Sequence, residues 1–317
     1  MKDQLMPLVS IICTTYNHDL FIEDCLEGLV NQRTDFSFEI IVHDDASSDN
    51  TISILKSYES KYPYLFKNIY QKENQYSNNN INIWTDIMFP RAKGKYIAIC
   101  EGDDYWVDSY KLQKQVDFLE QNPSYSLCVG GYLENDLVSN DKHEVVYNGK
   151  VNDVGRSGFS FDLEDMKHRW FFSTLTSMFV NNNSLFSLIK KHKYARDTHL
   201  FYYCMKIGKG YYFKDVLGVY NVHSNGVFSG LDNIKRMKEH YFLYKELWEV
   251  NKDAFSRHIY FRVMLNYFNE TLYSRTFIKE LRLIFDLFIS SIPLIRNLND
   301  LFYLLYKLLP PFTQKKN

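Results

Sequence analysis

The chain has 317 residues, enough for one large domain or for a main domain with an appendage. Its net charge of −1 gives no basis for nucleic-acid binding, and its 45% hydrophobic content is typical of a soluble protein with a sizeable core. No run of residues reaches the ~18 uninterrupted apolar positions that a membrane-spanning helix needs. The five cysteines include no CxxC pair, which argues against a zinc ribbon and favours buried thiols in a reducing compartment. We therefore expect a cytoplasmic protein that is soluble or peripheral to the membrane.

The first part of the chain alternates short apolar runs with helical patterns. The runs that favour strands cover residues 8–13, 38–45, 66–71, 94–104 and 125–132. Apolar residues at helical spacing follow at 18–32, 52–62 and 109–121, and a helix is expected at the end of the polar loop 72–84. This alternation predicts βαβ units and a parallel sheet with helices on both faces. Ligands of such sheets bind beyond the carboxyl ends of the strands.

The later part of the chain is less regular. Residues 132–170 are polar, a helix is expected near 197–207, and residues 211–224 favour a strand. From about residue 232 the pattern is helical and rich in Tyr, Phe and Leu.

The predicted strand ends carry hydroxyls, amides and carboxylates instead of glycines. They read "CTTYNH", "VHDDASSDN" and "CEGDDYW". The chain contains neither GxGxxG nor GxxxxGK[ST], which argues against a dinucleotide oxidoreductase and against a P-loop enzyme. Clustered carboxylates instead favour Mg²⁺ or Mn²⁺, which would leave coordination positions for phosphate oxygens. The alternative is that Asp103 and Asp104 are turn or capping residues of the next helix, although Asp44 and Asp45 at the same sheet edge favour a cation site.

The ordered set "VSIICTTYNH", "EIIVHDDASSDNT" and "GKYIAICEGDDYW" resembles family 2 glycosyltransferases, which are inverting, metal-dependent nucleotide-sugar transferases with the GT-A fold. The resemblance extends from residue 8 to about residue 230. It implies a mixed α/β sheet flanked by helices, forming a catalytic domain over 1–230. Within that domain, 1–131 is the nucleotide-sugar donor half and 132–230 the acceptor half. A helical region follows over 231–317.

The resemblance also implies a nucleoside pocket at the first two strand ends. Thr14 and Tyr16 would contact the base, with Tyr16 packing on its ring. Asp45 would accept a hydrogen bond from the uracil N3–H, and Asp44 would support the same pocket. A carboxylate that reads an imide N–H favours UDP over a purine nucleotide.

The "EGDD" stretch corresponds to the DxD-type motif of the family, with Glu101 at the first acidic position. The resemblance places Asp103 near the ribose and the metal, and makes Asp104 the foremost metal ligand, with Glu101 as a further one of longer reach. His223 would complete the metal or diphosphate site, and its imidazole favours Mn²⁺ over Mg²⁺. The alternative for His223 is a structural histidine.

On the acceptor side, the resemblance implies that Ser173, Thr174 and Thr176 offer hydroxyls and that Asp197 is the catalytic base. The alternative for Asp197 is a helix cap. The implied reaction transfers a hexose or N-acetylhexosamine from a UDP-sugar to a hydroxyl of a saccharide, glycolipid or glycoprotein, in the synthesis of cell-surface polysaccharide or glycoconjugate.

Two other functions stay open at this point. Transfer to a polyprenyl phosphate would not need Asp197 as a base, and a catalytically silent binding module would keep the fold for assembly or sugar recognition. A nucleotidylyltransferase would need a glycine- and basic-rich loop after its first strand, which "CTTYNHDLF" does not supply.

The C-terminal helical region carries two predicted apolar faces with basic residues around them. The faces comprise Leu281, Ile284, Phe285, Phe288 and Ile292, and then Leu298, Leu301, Phe302, Leu305 and Leu308; the basic residues are Lys279, Arg282, Arg296, Lys307, Lys315 and Lys316. They predict either peripheral membrane contact or packing on the catalytic domain or in a homodimer. Packing is favoured because Tyr303, Tyr306, Asp286 and Asp300 interrupt the basic surface.

Overall fold

The computed structural model describes residues 6–78, 81–147, 157–167, 172–193, 195–224, 233–272 and 281–308. The chain forms two compact units, Met1–Ser224 and Asn225–Asn317. Among the helices in these ranges, none combines the length and the apolar character that a membrane crossing requires.

The described part of the first unit contains one ten-stranded sheet with helices packed against it. Its strands are β1 Val9–Thr15, β2 Phe38–Asp44, β3 Ile69–Tyr70, β4 Tyr96–Ile99, β5 Tyr105–Trp106, β6 Tyr125–Asp136, β7 Asp141–Val145, β8 Gly158–Phe161, β9 Met178–Val180 and β10 Lys209–Val222. Its helices are α1 Ile22–Val30, α2 Thr51–Lys61, α3 Lys111–Gln121, α4 Leu163–Met166, α5 Asn183–Ile189 and α6 Asp197–Ile207. The predicted strands of the first half, and its predicted helices at 18–32, 52–62 and 109–121, are thus confirmed in type and order.

The strands follow the order β3-β2-β1-β4-β9-β6-β10-β5, with β7 on β6 and β8 on β10. The parallel pairing predicted from the pattern holds for β1 with β2 and β4, and for β6 with β10. It fails at β9, which lies antiparallel between β4 and β6, and at β5, which is antiparallel to β10. The sheet is therefore mixed.

Strand β1 shows why the sequence builds a central strand here. Nearly all of its side chains are buried, as expected for a parallel strand covered by helices on both faces. Helix α1 covers one of these faces with Ile22, Cys25, Leu26 and Leu29, which recur at helical spacing and are fully buried.

Two predicted elements are shorter in the structure than the sequence indicates. The strand expected over 66–71 is reduced to Ile69–Tyr70, and Phe66 contributes one isolated bridge to Ile40. The helix expected after the polar loop is a short π-helical turn, Ile83–Met88, followed by a 3₁₀ turn, Phe89–Arg91. Pro90 lacks the N–H that a longer helix would need at that point.

The second unit is helical over its described residues, as predicted. Its helices are α7 Asn233–Asn251, α8 Ala254–Leu272, α9 Leu281–Ser291 and α10 Leu298–Lys307. Its core is built largely from α8 and from single faces of the other helices, and includes Tyr241, Phe261, Met264, Leu265, Phe268, Leu287 and Leu304.

The single apolar face predicted for α9 is wrong. Ile284 is buried and Phe285 is 63% exposed, because consecutive helical residues point about 100° apart; Leu287 shares the buried face with Ile284 instead. On α10 the predicted face is mostly exposed, with Leu298, Leu301, Phe302 and Leu305 in solvent. The side chains of Lys279, Leu281, Arg282, Lys315 and Lys316 lie outside the described residues. Membrane contact and dimerisation through this region stay predictions.

Candidate functional site

The carboxyl ends of β1, β2 and β4 meet at one edge of the sheet. Thr15 lies beside Asp44 in the parallel register, and the amide of Asp45 donates to the Thr15 carbonyl at 3.0 Å. The amide of Gly102 donates to the Thr14 carbonyl at 2.9 Å. These backbone hydrogen bonds fix the three polar strand ends relative to one another, as the sheet topology predicts.

Gly102 packs directly against the end of β1. A Cβ atom at this position would lie 2.8 Å from both the Cβ and the Oγ1 of Thr15. Only glycine therefore allows the acidic turn to approach β1 this closely.

The predicted nucleoside residues lie together at this edge. Tyr16 is 46% exposed and leaves its ring available for packing. Asp44 is fully buried; its Oδ1 accepts from the Ser47 amide at 3.0 Å, and its Oδ2 has no hydrogen-bond partner in the described structure. Thr14 is partly buried next to them.

Asp45 has a contact that the sequence did not predict. Its two carboxylate oxygens accept hydrogen bonds from the amides of Gln75 and Tyr76, at 2.7 and 2.9 Å. Asp45 therefore anchors the loop 74–78, and a hydrogen bond from a nucleobase would add to those two. Its role in reading the base stays a prediction.

Asp103 and His223 are two predicted site residues whose side chains are in direct contact. His223 Nε2 lies 3.2 Å from Asp103 Oδ2, and the His223 ring stacks on Phe21 with 4.8 Å between centroids. His18 Nε2 lies 3.8 Å from the same Asp103 oxygen. Burial alone would raise the pKa of Asp103, but the hydrogen bond with His223 and the charge of His18 outweigh it, so the pKa lies below its ordinary value.

Asp104 faces the interior of the protein. It is 2% exposed, and its Oδ1 accepts from the amide of Asn221 on β10 at 2.9 Å. Burial, together with the charges of Asp103 and Glu101, raises the pKa of Asp104 well above its ordinary value. Asp104 thus connects the acidic turn to β10, and its predicted role as the foremost metal ligand receives no support from this geometry.

Glu101 and Asp197 interact electrostatically on the acceptor side. The pKa of Glu101 is raised to about 7, mainly by burial. A hydrogen bond from Thr174 lowers this pKa in part, whereas the charges of Asp103 and Asp197 raise it further. Asp197 begins α6, where its Oδ1 accepts from the Thr198 amide at 2.7 Å. Burial also raises the pKa of Asp197. Arg196 holds the cap position of α6, so Asp197 is its first helical residue, and its role as base stays a prediction.

The sequence profile described as "Glycosyl transferase family 2" matches residues 10–206, which is more than half of the chain. The chain belongs to this family. Among curated relatives, a UDP-Glc:alpha-D-GlcNAc-diphosphoundecaprenol beta-1,3-glucosyltransferase of Escherichia coli is 34% identical over 133 residues, covering 42% of this chain and 49% of the relative. The first curated relatives are matched over only about a third to a half of their own lengths, from 34% to 52%.

Solved glycosyltransferase structures share the fold. S. aureus TarS 1-349 in complex with UDP-GlcNAc aligns with a TM-score of 0.57 at 17% identity, covering 91% of this chain and 81% of TarS. A mannosyltransferase from Pyrobaculum calidifontis in complex with GDP-Man and Mn²⁺ aligns with a TM-score of 0.54 at 16% identity, covering 96% and 87%. The predicted GT-A fold of this family 2 member is thereby confirmed.

In the described part of the site, Asp103 and His223 form a side-chain pair suited to a divalent cation. Asp103 supplies a carboxylate oxygen and His223 an imidazole nitrogen, 3.2 Å apart at the sheet edge. Within the described ranges, no three of the predicted acids and His223 have ligand atoms all within 4.8 Å of one another. Two protein ligands fit Mg²⁺ or Mn²⁺ that takes its other ligands from substrate phosphates and water.

The segment that carries the predicted acceptor hydroxyls is held by three buried donors. They come from β5 and α3 and reach three consecutive carbonyls, namely Trp106 Nε1 to Leu175 at 2.6 Å, Gln115 Nε2 to Thr176 at 2.9 Å, and Lys111 Nζ to Ser177 at 3.5 Å. Thr176 Oγ1 also contacts both the amide and the carbonyl of Gly130, at 3.2 and 3.1 Å. Thr176 is therefore structural, whereas Thr174 is placed next to Glu101.

Sequence reasoning missed His18 and Lys111. His18 follows β1 by three residues, and its place at the common sheet edge is the signal that could have identified it. Lys111 lies on the apolar face of α3, where a helical pattern gives no indication that a lysine is fully buried.

Proposed function

We propose that the protein is an inverting glycosyltransferase that moves a hexose or N-acetylhexosamine from a UDP-sugar to an acceptor hydroxyl. The contact of Asp103 with His223, at the sheet edge that also carries Tyr16 and Asp45, is the observation that supports this most strongly. TarS, which shares the fold, has been crystallised with UDP-GlcNAc, and the E. coli relative is named for UDP-Glc.

Asp103 and His223 would hold the divalent cation, and this replaces the expectation that Asp104 is the foremost ligand. The fold neighbour from P. calidifontis is described with Mn²⁺, and the imidazole of His223 favours Mn²⁺ over Mg²⁺. When bound, such a cation neutralises negative charge on a leaving diphosphate. Asp104, buried on the Asn221 amide, would then fix the orientation of Asp103.

Asp197 would act as the base for the acceptor hydroxyl. Its raised pKa brings its basicity closer to neutral pH, where a general base is most effective. Asp197 would take the hydroxyl proton while the acceptor oxygen attacks the anomeric carbon from the face opposite UDP. One displacement inverts the anomeric centre, so an α-linked donor gives a β-linked product without a covalent sugar–enzyme intermediate.

The segment 173–177 and the relatives support a saccharide hydroxyl as the acceptor. Thr174 contacts Glu101 next to Asp197, which suits a sugar hydroxyl approaching from this side. The E. coli relative is named for a saccharide on diphosphoundecaprenol, and this supports an acceptor in cell-surface polysaccharide or glycoconjugate synthesis. A polyprenyl phosphate acceptor is the less favoured alternative, because a phosphate oxygen needs no base and Asp197 would have no role.

Nucleotide release from sugar donors tests this proposal without knowledge of the acceptor, since water can replace the acceptor hydroxyl. The purified protein is incubated with UDP-Glc, UDP-GlcNAc or GDP-Man, each with Mn²⁺, and the free nucleotide is quantified. We expect UDP release that chelation abolishes and that Asp197→Asn lowers by about 100-fold or more. Asp117→Asn, an exposed carboxylate on α3, is the matched control and should behave as wild type.

The other outcomes of this assay are equally informative. Release of GDP alone would overturn the assignment to UDP. Absence of release from every donor would favour the catalytically silent binding module. Release that is unchanged in Asp197→Asn would remove the proposed base.

A further inference from the structure

The loop 74–78 of the donor half touches the segment just ahead of α6. Arg196 Nη1 donates a hydrogen bond to the Tyr76 hydroxyl at 2.9 Å. Close by, Asn82 Nδ2 donates to the Ala195 carbonyl at 3.1 Å. Both hydrogen bonds join parts of the chain that are more than 110 residues apart in sequence.

Tyr76 is also fixed to the nucleoside side of the site. Its amide donates to Asp45 Oδ2 at 2.9 Å, next to the 2.7 Å hydrogen bond from the Gln75 amide to Asp45 Oδ1. The Tyr76 side chain is half exposed, so its ring borders solvent beside the predicted base pocket. Tyr76 is thus hydrogen-bonded to Asp45 through its backbone amide and to Arg196 through its side-chain hydroxyl.

Arg196 is fixed in turn to the acceptor side. It directly precedes Asp197, and its own amide donates to Nδ1 of the buried His199 at 3.2 Å. Burial raises the pKa of Asp197, and the positive charge of the neighbouring Arg196 guanidinium lowers it in part. Moving Arg196 would therefore change the environment of Asp197.

We infer that Arg196 and Tyr76 are positioning residues that connect the nucleotide-binding loop to the catalytic base. The single hydrogen bond between them would hold the loop in its binding position and the start of α6 in its catalytic position. This inference rests on the proposed function, because it assumes that Asp197 is the base and that the loop borders the nucleotide. Neither residue is expected to touch the reacting atoms.

Three single variants and three measurements test the inference. Arg196→Gln removes the charge and weakens the hydrogen bond, Arg196→Lys keeps the charge, and Tyr76→Phe removes only the hydroxyl. For Arg196→Gln we expect the acid limb of the kcat/KM profile for donor hydrolysis to move to higher pH by about 0.5 unit. This is less than the ~1–3 units that a close opposite charge causes, because Arg196 is exposed and its charge is screened. Arg196→Lys should restore the limb, and Tyr76→Phe should leave it in place.

Calorimetry with UDP and Mn²⁺ gives the second measurement. Tyr76→Phe and Arg196→Gln should each weaken UDP binding about threefold, and the double variant should be no weaker than either single one, because both remove the same interaction. Lys190→Gln, which breaks the exposed ion pair with Asp86 at 2.9 Å, is the matched control and should bind as wild type.

Hydrogen exchange at the amides of Gln75 and Tyr76 separates a failure of this inference from a failure of the proposed function, because it needs no ligand. Faster exchange in Arg196→Gln than in wild type supports the connection even if no nucleotide binds. Unchanged exchange, together with an unchanged pH profile and UDP affinity, would overturn it. Additive losses in the double variant would show two independent roles and would also overturn it.

Discussion

Replacing Lys111 should change the free energy of unfolding by an amount that depends on pH. The side chain is fully buried, its Nζ donates to Gln115 Oε1 at 2.9 Å, and the ammonium lies 4.0 Å from the ring centroid of Trp106. Burial lowers the pKa of Lys111 from 10.5 to about 7. At about 1.4 kcal/mol per pH unit, this lowering of the pKa means that burying the charged ammonium destabilises the folded protein by ~5 kcal/mol relative to the unfolded chain.

The pH window follows from these two pKa values. Between about pH 7 and 10.5 the unfolded chain keeps a proton that the folded protein has lost, so the free energy of unfolding of wild type rises with pH. The full free-energy cost of burying the charged ammonium is present below about pH 7, and it vanishes above 10.5. A neutral residue at this position removes the penalty and its pH dependence.

Lys111→Met makes this change with a side chain of similar length. The variant leaves Gln115 Oε1 without its donor, which costs about 2 kcal/mol. We therefore expect Lys111→Met to be more stable than wild type by about 3 kcal/mol at pH 6 and equal to it near pH 9. Urea unfolding of both proteins at pH 6, 7.5 and 9 measures the difference.

The control for this experiment is Lys114→Met on the same helix. Lys114 is partly exposed and lies 2.7 Å from Asp108, which raises its pKa, so it is charged in the folded and unfolded states across this range. Its stability difference from wild type should not vary between pH 6 and 9. If the stability difference between Lys111→Met and wild type also stayed constant from pH 6 to 9, it would refute the claim that burial of this ammonium opposes folding.

Three further predictions concern the acidic turn, the base and the second unit. Gly102→Ala brings a Cβ to 2.8 Å from Thr15 and should lower donor hydrolysis by at least about tenfold and the free energy of unfolding by about 2 kcal/mol; turnover equal to wild type would contradict the close packing. Because the pKa of Asp197 lies above its ordinary 3.8, kcat/KM should fall as pH drops through that raised value, and a profile flat to pH 4 would argue against Asp197 as base. Arg257→Met leaves the buried Asp300 carboxylate without the guanidinium 3.1 Å away, and should cost about 3 kcal/mol in urea unfolding, whereas a loss below ~0.5 kcal/mol would mean that the pair contributes little.

The parts of the fold that the sequence predicted are those with local signals. Buried strands such as β1 and β4 are short apolar runs, α1 and α3 have apolar residues at helical spacing, and each strand ends in polar residues. β9 has only three residues, and its antiparallel place between β4 and β6 is set by pairing with strands far away in sequence. Such pairing leaves no local trace in the sequence.

The candidate site was likewise predictable only where the signal is local. The motifs brought Asp45, Asp103, Asp104 and His223 to one region, but the division of roles between adjacent acids was not predictable. Asp104 turns inward because its oxygen meets the Asn221 amide of β10, 117 residues later in the chain. Asp45 is occupied by amides of a loop 30 residues away. These partners are decided by tertiary structure, since neighbouring aspartates have the same local chemistry.

Calorimetric titration of UDP into the protein, with and without Mn²⁺, tests the central claim most directly when Asp103→Asn and Asp104→Asn are compared. We expect wild type to bind UDP in a Mn²⁺-dependent manner, Asp103→Asn to lose that dependence, and Asp104→Asn to keep it, because an asparagine oxygen can still accept from the Asn221 amide. The reverse ranking of the two variants would contradict the assignment of Asp103 and His223 as the cation pair. Lack of UDP binding by wild type at any Mn²⁺ concentration would contradict the proposed donor site itself.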